Sequence, residues 1–131
     1  MITAVHTATV FVSDQDRSLD FYVNKLGFEK RQDQPMGPES RWIEVVPPGA
    51  RTAILLYKPT REMPGAYSYE LALQLIGKFT PVLLSADDIQ ATHRDLTAKG
   101  VQFPTPPEKQ PWGWWAVLAD PDGNSFGIRQ G

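Results

Sequence analysis

The chain contains no cysteine. Disulfides, thiolate nucleophiles and cysteine-bound metals are therefore excluded. Histidine is scarce, with only His6 and His93 present. No run of lysine and arginine exceeds two residues, and the net charge is −2 with a pI of about 5.6. That balance argues against a nucleic-acid partner. No apolar stretch is long enough for a transmembrane helix. The first residues, MITAVHTATVFVSDQD, lack the basic start and apolar core of a secretory signal. The default expectation is a cytoplasmic protein with neither a membrane nor a nucleic-acid partner.

What is present reads as one ordinary domain. The 131 residues are 41% hydrophobic and 21% charged, within the usual range for a single globular unit. Residues 2–12 alternate, which predicts a strand. Ser13 or Asp14 can cap a helix running to about Leu26, and Gly27 suits its C-terminal stop. Strands are expected at about 28–32, 41–47 and 52–58, with QPMGPES and VPPGAR as loops. The order then returns. FTPVLLSA predicts a strand, with Pro81 near its start or at an edge. Asp87 or Asp88 caps a helix to Lys99, and Gly100 ends it. VQF opens a strand, PTPPEKQP reads as loop, and WGWWAVLA and NSFGIRQ form a hairpin around DPDGN. Gly27 and Gly100 lie 73 positions apart, as do Asp14 and Asp87. An internal duplication explains this: module one at about 1–60, module two at about 71–131, and a linker at about 59–70.

Four segments in this order carry a specific likeness: VFVSDQDRSLDFYVNKLGFEKR, RWIEVVPPGA, LSADDIQATHRDLTAKGVQF and LADPDGNSFGIRQ. The chain resembles the vicinal oxygen chelate superfamily, also called the glyoxalase/bleomycin-resistance/dioxygenase family. The resemblance implies an α+β fold of two tandem βαβββ modules. Their strands would form a curved eight-stranded mixed sheet with a concave ligand face. It also implies a homodimer and, in many members, a divalent metal bound by His, Glu or Gln.

Mapped residue by residue, the metal positions fall on Thr7, Leu55, either Thr80 or Pro81, and Gly127. Divalent metals need imidazole or carboxylate donors at about 2.0–2.5 Å, and these residues offer none. His6 stands one residue from the first position. A one-residue slip turns a strand side chain to the opposite face, which leaves His6 a weak metal candidate. The expected cofactor is therefore none, with one divalent metal as the alternative.

The same register turns Thr7, Thr9, Phe11, Trp42, Glu44, Leu55, Tyr57 and Arg129 toward the ligand. Ala8, Val10, Val12, Ile43, Val45, Ile54, Leu56, Phe126 and Ile128 fall on the opposite, apolar side. Trp112, Trp114 and Trp115 sit beside the ligand face, although alternation leaves open which of Trp114 and Trp115 points inward. Glu44 is the one candidate general base. Its plain reading is a carboxylate paired with Arg41 or Arg51. Arg129 could clamp an anion. An aromatic, weakly polar face suits a small hydrophobic or aromatic ligand. The expected function is metal-free binding of such a molecule. The alternative is a lyase, isomerase or ring-cleaving dioxygenase of the same superfamily.

Overall fold

The structure is a computed structural model that describes residues 1–63 and 68–130. Part of the expected linker, at 64–67, lies outside the described residues. The chain forms two compact units, Met1–Ile76 and Gly77–Gly131. Each contains one four-stranded mixed sheet, so the α+β, two-module architecture expected from the sequence is present.

In the first unit the strands are β1 (Thr7–Phe11), β2 (Glu29–Pro35), β3 (Arg41–Val46) and β4 (Ala53–Tyr57), in the order β1-β4-β3-β2. β1 runs parallel to β4, and the other pairs are antiparallel. β1 begins later than its alternating pattern suggested, at Thr7, so His6 precedes the strand. The helix after β1 starts as α1 (Gln15–Asp20), capped by the Asp14 side chain on the Arg17 amide. It continues as a π-helical turn over Phe21–Lys25, closed by Leu26 N–H on the Phe21 carbonyl. The wider turn allows the adjacent rings of Phe21 and Tyr22 both to be buried. Gln15, also buried, ties α1 to the sheet. Its Nε2 donates to the carbonyls of Arg41 and Leu56, and its Oε1 accepts from the Arg41 amide. Each buried polar atom thus has a partner, as burial requires.

The second unit has the strands β5 (Phe79–Ser85), β6 (Gln102–Gln110), β7 (Gly113–Ala119) and β8 (Ser125–Gln130), in the order β5-β8-β7-β6. α3 (Ile89–Ala98) is capped by Asp88 and ends before Gly100, whose φ is 88°. Of the two aspartates considered for that cap, Asp88 fills the role. Pro81 lies on an edge strand, within a break in the β5–β8 register.

Two expectations need correction. PTPPEKQP is not a loop, because β6 runs through it to Gln110. β6 is an edge strand whose register with β7 shifts twice, between Gln102 and Thr105 and between Thr105 and Glu108. An edge with interrupted pairing accepts prolines that a central ladder would reject. The segment after the linker also forms a helix, α2 (Tyr69–Leu75), capped by Ser68. Its Ala72 is buried, while Leu71, Leu73 and Leu75 are exposed. With one buried position, it shows no apolar stripe of the kind that marks a helix in sequence.

Candidate ligand-binding site

In the first unit, cross-strand pairing sets Thr9, Leu55 and Glu44 in one row. Thr7, Phe11, Trp42 and Tyr57 share that face by alternation. The opposite face carries buried Val10, Ile43, Val45, Ile54 and Leu56. This is the division expected from the sequence.

Glu44 is 2% exposed, and a buried carboxylate needs matching donors. Arg31 Nε donates to Oε1 at 2.7 Å, and Trp42 Nε1 donates to Oε2 at 2.7 Å. Neither Arg41 nor Arg51 pairs with it. Arg41 is taken up by Asp33 and Asp16, and the Arg51 backbone carbonyl accepts from Arg31 Nη1. The reason lies in β2. Its pairing with β3 shifts between Lys30 and Gln32, at Arg31. Such a bulge re-aims the side chain at the break. Burial alone would push the Glu44 carboxyl up. The hydrogen bonds from Trp42 and Arg31, together with the Arg31 charge, outweigh it and hold the group below its ordinary value. An acid so held is an ionised anchor and a poor proton acceptor.

The His6 side chain is 70% exposed, and its Nδ1 lies 3.8 Å from Glu44 Oε2. That is one imidazole beside one carboxylate whose oxygens already accept two N–H groups. Among the described residues no group of three or more His, Asp or Glu is placed to hold a metal ion.

Further along the face, Phe11, Leu55, Tyr57 and Ala72 form a buried cluster. Met36, Trp42, Met63 and Ile76 pack against it. The rings of Phe11 and Tyr57 meet edge to face at 5.9 Å, and burial raises the Tyr57 hydroxyl pKa. Three expected ligand residues thus lie beneath this chain's own methionines and α2. A pocket of about 390 Å3 opens beside Tyr57, lined chiefly by Met36, Pro38, Glu39, Thr60, Glu62 and Met63. The sequence reading missed Met36, Met63 and Arg31. The methionines sit in segments read only as loop and linker, where flexible apolar side chains are themselves a binding signal. Arg31 offered no signal, because a bulge cannot be read from residue types.

In the second unit α3 packs toward β6, β7 and β8. The apolar set Ala116, Leu118, Phe126 and Ile128 is buried. Trp114 falls on that side by alternation, with the Lys109 ammonium 5.5 Å from its ring centroid. Trp115 pairs with Arg129 on the other face, and Val117 pairs with Gly127. So Trp115, and not Trp114, shares the face of Gly127 and Arg129. Its ring lies over Gly127, where an added Cβ would overlap the ring atoms Cη2, Cζ3 and Cζ2. Trp112 meets Trp115 edge to face, with centroids 6.0 Å apart and planes at 79°. The Arg129 guanidinium stands 5.7 Å from the centroid of Trp112.

The DPDGN turn delivers β8 to this face. The Asp120 amide donates to the Asn124 carbonyl, and Asp120 Oδ1 accepts from the amides of Asp122 and Asn124. Gly123 takes φ 84°, a conformation that favours glycine. These contacts close the turn, and Asn124 Oδ1 also accepts from the Gly77 amide at 2.7 Å.

The model of the Glyoxalase/Bleomycin resistance protein/Dioxygenase superfamily matches residues 4–128. The chain belongs to this family. Among solved structures, a family member from Sphaerobacter thermophilus DSM 20745 is 41% identical, with a TM-score of 0.84 over 99% of this chain and 98% of that one. TnmS3, described as an antibiotic binding protein from Streptomyces sp. CB03234, is 37% identical, with a TM-score of 0.78 over 98% and 96% of the two chains. YetH of Bacillus subtilis (strain 168) is 32% identical over 130 residues, 99% of this chain and all of that protein.

The metal carried by many members of the family does not fit the residues found here. Thr7 and Leu55 in the first unit, and Thr80 or Pro81 and Gly127 in the second, supply no imidazole or carboxylate. The glutamate that the family pattern places after the turn could stand at Gly127 only if the Trp115 ring moved, because that ring holds the space.

No helix among the described residues is long and apolar enough to cross a membrane.

Proposed function

We propose that this chain is a metal-independent binding protein that sequesters or senses a small hydrophobic or aromatic molecule. The observation that carries the reading is the Trp115 ring lying over Gly127, an apolar surface where a metal-binding acid would otherwise stand. Aromatic rings recognise flat or amphipathic ligands by stacking and area burial. The likeness to an antibiotic binding protein supports the same class of ligand. The ligand-facing residues of the first unit are Thr7, Thr9 and Trp42, with Phe11, Leu55 and Tyr57 reached beneath Met36 and Met63, and those of the second unit, taken by itself, are Trp112, Trp115 and Arg129. The proposal includes a cytoplasmic homodimer. The exposed α2 leucines, Leu71, Leu73 and Leu75, supply apolar surface for a second copy.

One observation favours a second reading. The approach of His6 to Glu44 supplies the start of a relocated metal site for a lyase, isomerase or dioxygenase. The two readings separate on one preparation. Chelator-treated protein, titrated with a panel of aromatic antibiotics and followed by tryptophan fluorescence, is expected to show saturable quenching without added metal. About one equivalent of Fe, Mn, Ni or Zn per chain, retained in metal-free buffer and needed for the response, would overturn the first reading.

A further inference from the structure

Within the second unit the Arg129 guanidinium stands over the aromatic surface, and the acid of that row, Glu108 on β6, is set across Trp115 from it and forms no ion pair with it among the described residues. Arg129 is on β8, opposite Trp115 in the ladder. Its guanidinium lies over the Trp112 ring. Among the described residues no carboxylate forms an ion pair with it, whereas Arg31, Arg41, Arg61 and Arg94 each meet an acid. The two indoles stand nearly perpendicular. Trp115 lies across the Gly127 backbone, and Trp112 rises beside it, 50% exposed. Two further apolar side chains extend the same face along β5. Phe79 pairs with Ser125 and Leu83 with Gly127, and these are 60% and 52% exposed.

A planar ring laid against such a corner gains stacking on one indole and an edge contact with the other. A guanidinium at the corner adds a requirement that bare aromatic surface lacks. It offers a rigid fork of N–H donors matched to a carboxylate or similar planar oxyanion. It is also more weakly hydrated than an ammonium, so it loses less when a ligand displaces water.

We propose that Trp112, Trp115 and Arg129 form a subsite for a planar aromatic acid, with Arg129 selecting the charge. This rests on the binding function proposed above and narrows it from any aromatic molecule to an anionic one. Arg129 is the specificity-determining residue. The indoles provide affinity that does not depend on charge.

The test uses two probes of one shape, naphthalene-2-carboxylate and the neutral naphthalene-2-carboxamide, titrated into the full chain by calorimetry. The wild type is expected to bind the carboxylate at least about tenfold more tightly. Arg129→Gln should weaken the carboxylate far more than the amide and bring the two affinities together. Arg129→Lys should restore part of the preference, and Trp112→Leu should weaken both probes alike. Equal affinities in the wild type would overturn the inference, as would an Arg129→Gln variant that weakens both probes equally. If neither probe binds while larger antibiotics still quench tryptophan fluorescence, this inference fails and the broader binding function stands. If nothing binds, both fail together.

Discussion

Trp42 and Trp115 occupy equivalent places in the two modules, 73 positions apart, each two residues before the position that pairs with the middle of the last strand. In module one that position is Glu44, opposite Leu55. The Trp42 indole N–H turns to the carboxylate, and Arg31 completes the neutralisation. In module two it is Val117, opposite Gly127. There the Trp115 ring lies over the glycine. A duplicated tryptophan thus follows its neighbour. Beside an acid it serves as a hydrogen-bond donor, and beside a glycine it serves as surface. The difference shows how one scaffold holds a polar anchor in one half and an aromatic platform in the other.

The largest effect should come from removing the anchor. Glu44→Ala leaves Arg31 and the Trp42 N–H without their acceptor. A loss of about 2–4 kcal/mol is expected by denaturant unfolding, less than for a fully buried pair because Arg31 keeps some contact with solvent. The pH dependence sharpens the point. The folded state holds this carboxyl below its ordinary value. Its stabilisation is therefore complete above the unfolded pKa of about 4 and fades as pH falls through the folded value. The gap between wild type and Glu44→Gln should narrow below about pH 4. A gap that stays constant down to pH 3 would mean that the ion pair is not what Glu44 contributes.

A smaller effect is expected at the platform. Gly127→Glu should cost about 2–3 kcal/mol through overpacking against Trp115. Paired with Trp115→Ala, the double variant should recover at least about 1 kcal/mol relative to the sum of the single changes. Strict additivity would show that the ring does not hold that space in solution.

The smallest effects test the likeness of the modules. Asp14→Ala and Asp88→Ala each remove one side-chain acceptor from a helix start. Each should cost about 1 kcal/mol, and the two should match. A twofold disparity in thermal unfolding would say that the helices differ in how far packing, and not capping, supports them.

Much of the architecture was legible because it rests on local rules. Alternation separated Val10, Ile43, Val45 and Leu56 from the ligand-facing set. Gly27 and Gly100 marked helix ends, and both take positive φ. Where the reading failed, nonlocal facts decided. The prolines of β6 could be reconciled with a strand only by knowing that it lies at an edge. α2 has too little buried surface to announce itself. The partner of Glu44 depended on a bulge at Arg31, and the orientation of Trp114 and Trp115 depended on the register with β8. The vacancy after the DPDGN turn was visible as a missing carboxylate. That a tryptophan fills it required the third dimension.

The overlap of ring and glycine also constrains history. Positions 115 and 127 contest one volume, so they form a single heritable choice and not two. A lineage moving from this arrangement toward a metal-binding acid meets the smaller cost by shrinking the tryptophan before it enlarges the glycine. The reverse order passes through an intermediate that bears the overpacking cost. Relatives are accordingly expected to carry one bulky partner at this pair of positions, and seldom both.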